Sequence, residues 1–277
     1  MPDSDSTPGS LSPPAPDPWV CDVAHPDARI VAPEPYTGSP TGSRPLRPVE
    51  RLTSVLEVIF CSGFPTQLLI TPALVAVGVP IFDERGALSL RHVVWLSVLD
   101  TMVVTALVLF FLRLHGERAT TVFLGGRKST TEVLVGLALL PICFAVIAAA
   151  ALTIEAVAPW LRNPDGNPLS QLLRRWPDIL VFAAVAVVAG GWREELQRAF
   201  VLHRFRTHLG GAVVGLVVFS VAFGAGHLVQ GADAAILTAL LGALWGAVYL
   251  LRHSVVAPMV CHAAFNIIEV VYHGSQA

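Results

Sequence analysis

Three short motifs in the last third of the chain carry side chains able to do hydrolytic chemistry. Gly191-Trp192-Arg193-Glu194-Glu195-Leu196-Gln197-Arg198 sets two carboxylates among two guanidinium groups. Phe223-Gly224-Ala225-Gly226-His227 puts an aromatic ring one helical turn before an imidazole. His262-Ala263-Ala264-Phe265-Asn266 puts an imidazole and a carboxamide four residues apart, on one helix face, and Glu269 continues that face. A carboxylate can take a proton from water. Imidazoles can bind a metal or orient the water directly, and an amide N–H can stabilise an oxyanion. Together these groups meet the needs of water-mediated amide hydrolysis. In the first motif Glu194 lies four residues before Arg198 and Glu195 three, so either can pair with it and leave the other for different work. Each motif alone also has a structural reading: a solvated charged turn, a histidine bonded to a carbonyl near the interface, or packing contacts between helices.

The elements that must position these residues are helices in lipid. The chain has 277 residues, 54% hydrophobic and 14% charged, whereas an average soluble domain carries roughly 25% charged residues. Its apolar blocks have the length that crosses a hydrocarbon core of ~30 Å as a helix. Backbone groups in lipid must be satisfied within the segment, so such blocks are helical. The expected fold class is all-α, a polytopic transmembrane helical bundle with about seven spans. They fall near 55–79 (kinked at Pro65 and Pro72), 93–112, 133–158, 178–205, 211–229, 234–251 and 255–272. Residues 113–132 read as a short interfacial segment, and 159–177 as a turn-rich loop. Residues 1–48 hold 12 of the 21 prolines with many Ser and Asp, which predicts a disordered tail. The organisation is then a tail at 1–48, two spans with the interfacial segment at 49–132, and a helical core carrying the three motifs at 133–277.

A net charge of −2 leaves no basic footprint for nucleic acid. Cys21, Cys61, Cys143 and Cys261 form no paired metal motif and read as small apolar residues. The chain does not start with a basic stretch followed by an apolar one, so no cleavable signal peptide is expected. With the N-terminus cytoplasmic, the inner loops hold Arg44, Arg47, Arg51, Arg113, Arg118, Arg127, Lys128, Arg204, Arg206 and Arg252. The outer loops hold Arg85, Arg91, Arg162, Arg174 and Arg175. The excess favours that orientation, in a bacterial-type cytoplasmic membrane. Gly211-xxx-Gly215 and Gly242-xxx-Gly246 predict close packing of the fifth and sixth spans.

The three motifs resemble those of the CAAX protease and bacteriocin-processing family of intramembrane proteases, also called the Abi or type II CAAX prenyl endopeptidase family. Its pattern is EExxxR, FxxxH and HxxxN on successive helices. The second and third are intact here as Phe223 to His227 and His262 to Asn266, and the resemblance covers roughly residues 130–270. The first departs, because two residues, not three, separate Glu194-Glu195 from Arg198. One register pairs Arg198 with the family arginine, so that Glu194 takes the second glutamate position and Arg193 replaces the first. The other keeps Glu194-Glu195 as the pair and shifts the arginine by one.

The resemblance implies an intramembrane endopeptidase, glutamic or metallo, that hydrolyses a peptide bond near the membrane surface. In that reading Glu194 or Glu195 activates water, and His227 and His262 position it or hold a divalent metal such as zinc. Asn266 steadies the oxyanion and Arg198 orients the carboxylates. The implied partners are membrane lipid and a peptide or protein substrate, lipidated or not. The chain has no HExxH helix, GxSG serine motif or GxGD motif. The main alternative is a nonproteolytic immunity or scaffold protein whose polar groups are packing contacts. A transporter using Glu and His as a proton relay is a third class, disfavoured by the lack of a clear internal repeat.

Overall fold

A break in the first apolar block sets one wall of the site. In the computed structural model, which describes residues 47–163 and 166–276, this block forms two helices, α1 (Pro48–Phe60) and α2 (Phe64–Ala76). Gly63 between them has φ +82°, a left-handed conformation that glycine adopts without steric cost, and Pro65 lies in the first turn of α2. The expected kink is thus a full interruption, with Pro72 carried inside α2. The Pro- and Ser-rich tail, up to residue 46, lies outside the described residues.

The second apolar block is α3 (Leu90–Leu114), capped by the Ser89 hydroxyl. The interfacial segment holds the short α4 (Ala119–Leu124), and the third block is α5 (Ser129–Val157). The loop after α5 winds through two 3-10 turns. The fourth block is one continuous rod of α6 (Trp176–Ala186), a π-helical segment (Val187–Glu194) and α7 (Glu195–His208). Beyond it lie α8 (Ala212–Ala225), α9 (Ala232–Arg252) and α10 (Val256–Gln276). Among the described residues the only β pairing is an isolated bridge between Phe82 and Leu88.

Among the described residues, five units are long and apolar enough to cross a membrane: α1–α2 together, α3, α5, α9 and α10. Large apolar side chains on their outer faces, such as Leu68, Leu134, Leu152 and Leu251, are mostly exposed, as a lipid-facing surface requires. The fourth and fifth blocks are different. Every residue from Glu195 to Leu202 is buried, so α7 is an internal post, and α8 is only 14 residues long. These two carry the first and second motifs.

Small residues bring α8 against α9, but of the two expected glycine pairs only Gly242 and Gly246 make that contact; Gly211 stands in open space and Gly215 packs on Phe205 of α7. A Cβ on Gly224 would lie 2.7 Å from the Ala239 Cβ, and one on Gly242 would lie 2.9 Å from the Phe223 ring. Loop contacts define the two ends of the bundle. At one, Arg252 is bonded to Glu132 at 2.6 and 2.8 Å, and the Val255 N–H donates to the Phe123 carbonyl. At the other, Arg174 pairs with Asp83 at 3.4 Å, and Asn167 donates to the Gln230 side chain at 3.1 Å.

Candidate active site

The π segment brings the three motifs together. A π turn holds one more residue than an α turn requires, so it rotates the downstream residues relative to a plain helix. Two glycines let α10 close against it. A Cβ on Gly190 would fall on the Asn266 amide and 3.3 Å from His262 Nε2, and one on Gly191 would stand 2.7 Å from the Ala263 Cβ. The His262-to-Asn266 face of α10 therefore rests on the backbone just before the glutamates.

The two glutamates emerge into different surroundings. Glu195 is 1% exposed, pairs with the wholly buried Arg198, and accepts a 2.7 Å hydrogen bond from His262 Nδ1. The Arg198 guanidinium lies 4.8 Å over the Phe223 ring, 5.1 Å over Phe219 and 5.6 Å over Trp245, each within cation–π range. Glu194 stands in a cavity wall. Its Oε1 accepts from Arg193 Nη2 at 2.9 Å, and its Oε2 lies 3.8 Å from His262 Nε2. That gap is too long for a direct hydrogen bond. The one-turn pair is thus Glu195 with Arg198, and the neighbouring glutamate is free to face the cavity.

His262 is held on three sides. Its Nδ1–H is engaged by Glu195, its ring stacks on Trp245 at 3.8 Å, and the Phe223 ring meets it edge-on at 6.3 Å. His227, just past the end of α8, donates Nδ1–H to the Phe223 carbonyl at 2.8 Å, and its ring meets Phe223 at 5.0 Å. With each Nδ1 donating, each neutral imidazole has an unprotonated Nε2. Asn266 Nδ2 donates to the Ala186 carbonyl at 3.4 Å.

Glu194, His227, His262 and Asn266 all line one cavity of about 730 Å³, within the usual range for ligand sites. Phe182, Val185, Leu237, Leu241 and Phe265 give it apolar walls, and it runs to Asn167, Ser170 and Gln230 at the Asp83–Arg174 end. Glu195 and Arg198 are not among its lining residues; they support it from behind. Glu269 also lines the cavity, paired with His273 at 3.3 Å.

The donor atoms are of the kind that bind zinc, two imidazole nitrogens and a carboxylate. Their positions do not match: among the described residues no three His, Cys, Asp or Glu side chains converge as a metal site.

Two participants belong to none of the motifs. Asp100, in the middle of α3 and 1% exposed, accepts from Arg193 Nη1 at 2.6 Å, from Gln67 Nε2 at 3.1 Å and from the Thr66 hydroxyl. An acid amid an apolar span is the signal that marks it. Trp245 was legible only as part of a small-residue packing pattern, because nothing in its spacing reveals the imidazole it stacks on.

The geometry defines a class: a helical bundle with a largely apolar cavity whose wall presents a carboxylate, two imidazoles and a carboxamide. Residues 175–268 match the family model described as Type II CAAX prenyl endopeptidase Rce1-like. The match runs from the start of α6 into α10, the stretch that holds all three motifs. That region is similar to the CAAX protease and bacteriocin-processing family, as the motifs implied. Comparison with curated proteins and with solved structures finds no match. The apolar helices together with this likeness make the chain an integral membrane protein.

Proposed function

We propose that the protein is an intramembrane endopeptidase in which Glu194 activates a water molecule. The observation that carries this reading is the open 3.8 Å gap between Glu194 Oε2 and His262 Nε2, on the wall of a cavity shared with His227 and Asn266. A water in that space donates to the carboxylate and to an imidazole Nε2, which aims its lone pair into the cavity. Glu194 takes the proton as the oxygen attacks a peptide carbonyl, then delivers it to the leaving amine. The Asn266 amide donates to the developing oxyanion. His227 Nε2 accepts from the water or from the substrate N–H and holds it in line. Glu195 and Arg198 fix the tautomer and orientation of His262. No step is routed through a metal.

The substrate is a peptide or protein segment that reaches the cavity within the membrane, and the apolar walls suit an extended segment with apolar side chains. The N-terminus is cytoplasmic by the distribution of loop arginines, in a bacterial-type membrane.

The test compares N-terminal proteomes of cells expressing wild type, Glu194→Gln and His227→Ala. Peptide ends that appear with wild type and vanish with both variants, at equal membrane insertion, support the reading. Identical peptide ends in all three overturn it. The packing-contact alternative finds its best support in Glu195 and Arg198, which are fully buried and paired. It predicts that Glu194→Ala and His227→Ala lower the melting temperature in detergent and that no peptide ends depend on them; peptide ends lost at an unchanged melt reject it.

A further inference from the structure

We propose that Asp100 and Arg193 form a positioning pair for Glu194, an inference that rests on the reading of Glu194 as the water-activating group. The guanidinium bridges two carboxylates, with Nη1 on Asp100 at 2.6 Å and Nη2 on Glu194 at 2.9 Å. Asp100 is itself fixed by Gln67 at 3.1 Å and by Thr66, both from α2. A chain of charge-assisted hydrogen bonds therefore runs from the first turn of α2, through the middle of α3, to the cavity wall.

The chemistry of the fork explains the arrangement. An arginine facing one carboxylate alone takes both of its oxygens in a parallel pair. Such a clamp on Glu194 would consume Oε2, the oxygen now turned toward His262. Asp100 draws Nη1 away, so that Glu194 is held through Oε1 only and keeps Oε2 for the cavity. Space for this is reserved at the break in the first block, where a Cβ on Gly63 would lie 2.9 Å from Arg193 Nη1 and 3.7 Å from Asp100 Oδ2. The pair also accounts for a buried aspartate and a buried arginine that the three motifs leave without a role. Both ions lie in a region where an unpaired charge is costly. Arg193 balances one of its two carboxylates and leaves the other with a net negative charge, as a proton acceptor requires.

The experiment uses full-length protein in lipid nanodiscs and reads two quantities. One is the rate at which a hydrophobic carbodiimide modifies Glu194, followed by mass spectrometry; the reagent attacks intramembrane carboxyl groups not clamped by a cation. Arg193→Gln raises that rate at least about tenfold, the scale of losing one charge-assisted hydrogen bond. Asp100→Asn lowers it, because Arg193 then closes on both oxygens of Glu194. In the Arg193→Gln background, Asp100→Asn has no further effect. Modification of Glu195, held by Arg198 and His262, stays constant throughout. A purely structural role moves Glu195 and the melting temperature together with Glu194 and gives no opposed signs. Should Arg193→Gln fail to fold, Arg193→Lys keeps the charge without the fork and gives a rate above wild type. A Glu194 rate that is the same in wild type and the foldable arginine variant overturns the pair. So does an Asp100→Asn effect that persists without Arg193.

The second quantity is turnover of a substrate found by the proteome comparison. Asp100→Asn lowers kcat with KM unchanged, and Asp100→Glu restores part of it. Cleavage that survives Glu194→Gln, with the labelling pattern intact, overturns the water-activation reading and leaves the pair standing. Cleavage abolished by Glu194→Gln, with flat labelling, overturns the pair alone.

Discussion

Two buried charge networks sit along the α7 rod, and they are built on opposite principles. Around its far half, Arg204 is wholly buried between Glu57 of α1, at 2.6 Å, and Glu117 of the α3–α4 connection, at 2.5 Å. His115 pairs with Glu57 at 2.6 Å and His203 with Glu117 at 2.7 Å. All four carboxylate oxygens of that network are engaged. At the near end of the same rod, Glu194 keeps one oxygen 3.8 Å from His262, at a cavity. Buried charge in itself therefore does not mark a site in this chain. The mark is buried charge with hydrogen-bonding capacity left over and a space beside it.

The comparison breaks first at Glu194, where the largest effect is expected. Replacing a general base costs on the order of 10²- to 10⁴-fold in rate. Glu194→Gln should lose that in kcat while melting near wild type, since Gln keeps the shape and can still accept from Arg193. Arg204→Ala should do the reverse. It strands two carboxylates without their shared cation, an error that costs about 3–5 kcal/mol when a buried pair loses one partner. The readouts are residual turnover and melting temperature in detergent. A stable Arg204→Ala, or a Glu194→Gln that unfolds, would merge the two networks into one kind of structure.

The next effect tests the glycine pair. Gly190→Ala adds a methyl where the Asn266 amide and His262 Nε2 crowd the backbone. Helix propensity favours alanine by up to about 1 kcal/mol, which offsets part of the overpacking. Stability should then change little. Turnover should fall by about 10²-fold, the scale of an ångström-sized displacement of catalytic groups. A fall in stability without loss of kcat would mean that Gly190 serves packing alone.

Features that depend on local sequence were legible, and those that depend on distant packing were not. The lipid-facing helices were readable because length and apolarity are local: α3, α5, α9 and α10 lie within a few residues of the expected spans. The His262–Asn266 face was readable for the same reason, four residues being one turn. The choice between Glu194 and Glu195 was not, because it turns on a π segment that packs against α10 at Gly190 and Gly191. Spacing arithmetic at 3.6 residues per turn fails where the turn is not α-helical. Asp100 and Trp245 lie outside the motifs, and only tertiary packing brings them to Arg193 and His262. The break at Gly63 was legible as a kink from Pro65, but its use, making room for the Arg193 guanidinium, was not.

The smallest effect sharpens the comparison from the other network, through pH. Glu117 lies outside the spanning helices, between α3 and α4. Partial burial works against its charged form, but hydrogen bonds from His203 and Arg204, with the charges of both, outweigh it and hold its carboxyl below the ordinary glutamate value. A depressed folded value means that the unfolded chain binds the proton more tightly. The stabilisation is therefore fully present above the ordinary glutamate range and is lost as pH falls through the folded value. Wild type should melt above Glu117→Gln at neutral pH, and the gap should close as the solution is acidified below the carboxylate range. Glu117 is partly exposed, so solvent screening keeps the gap small, and added salt should narrow it. A gap of constant size from neutral to acid pH would mean that Glu117 contributes by shape rather than by charge. The end network would then differ from the site in more than its lack of a cavity.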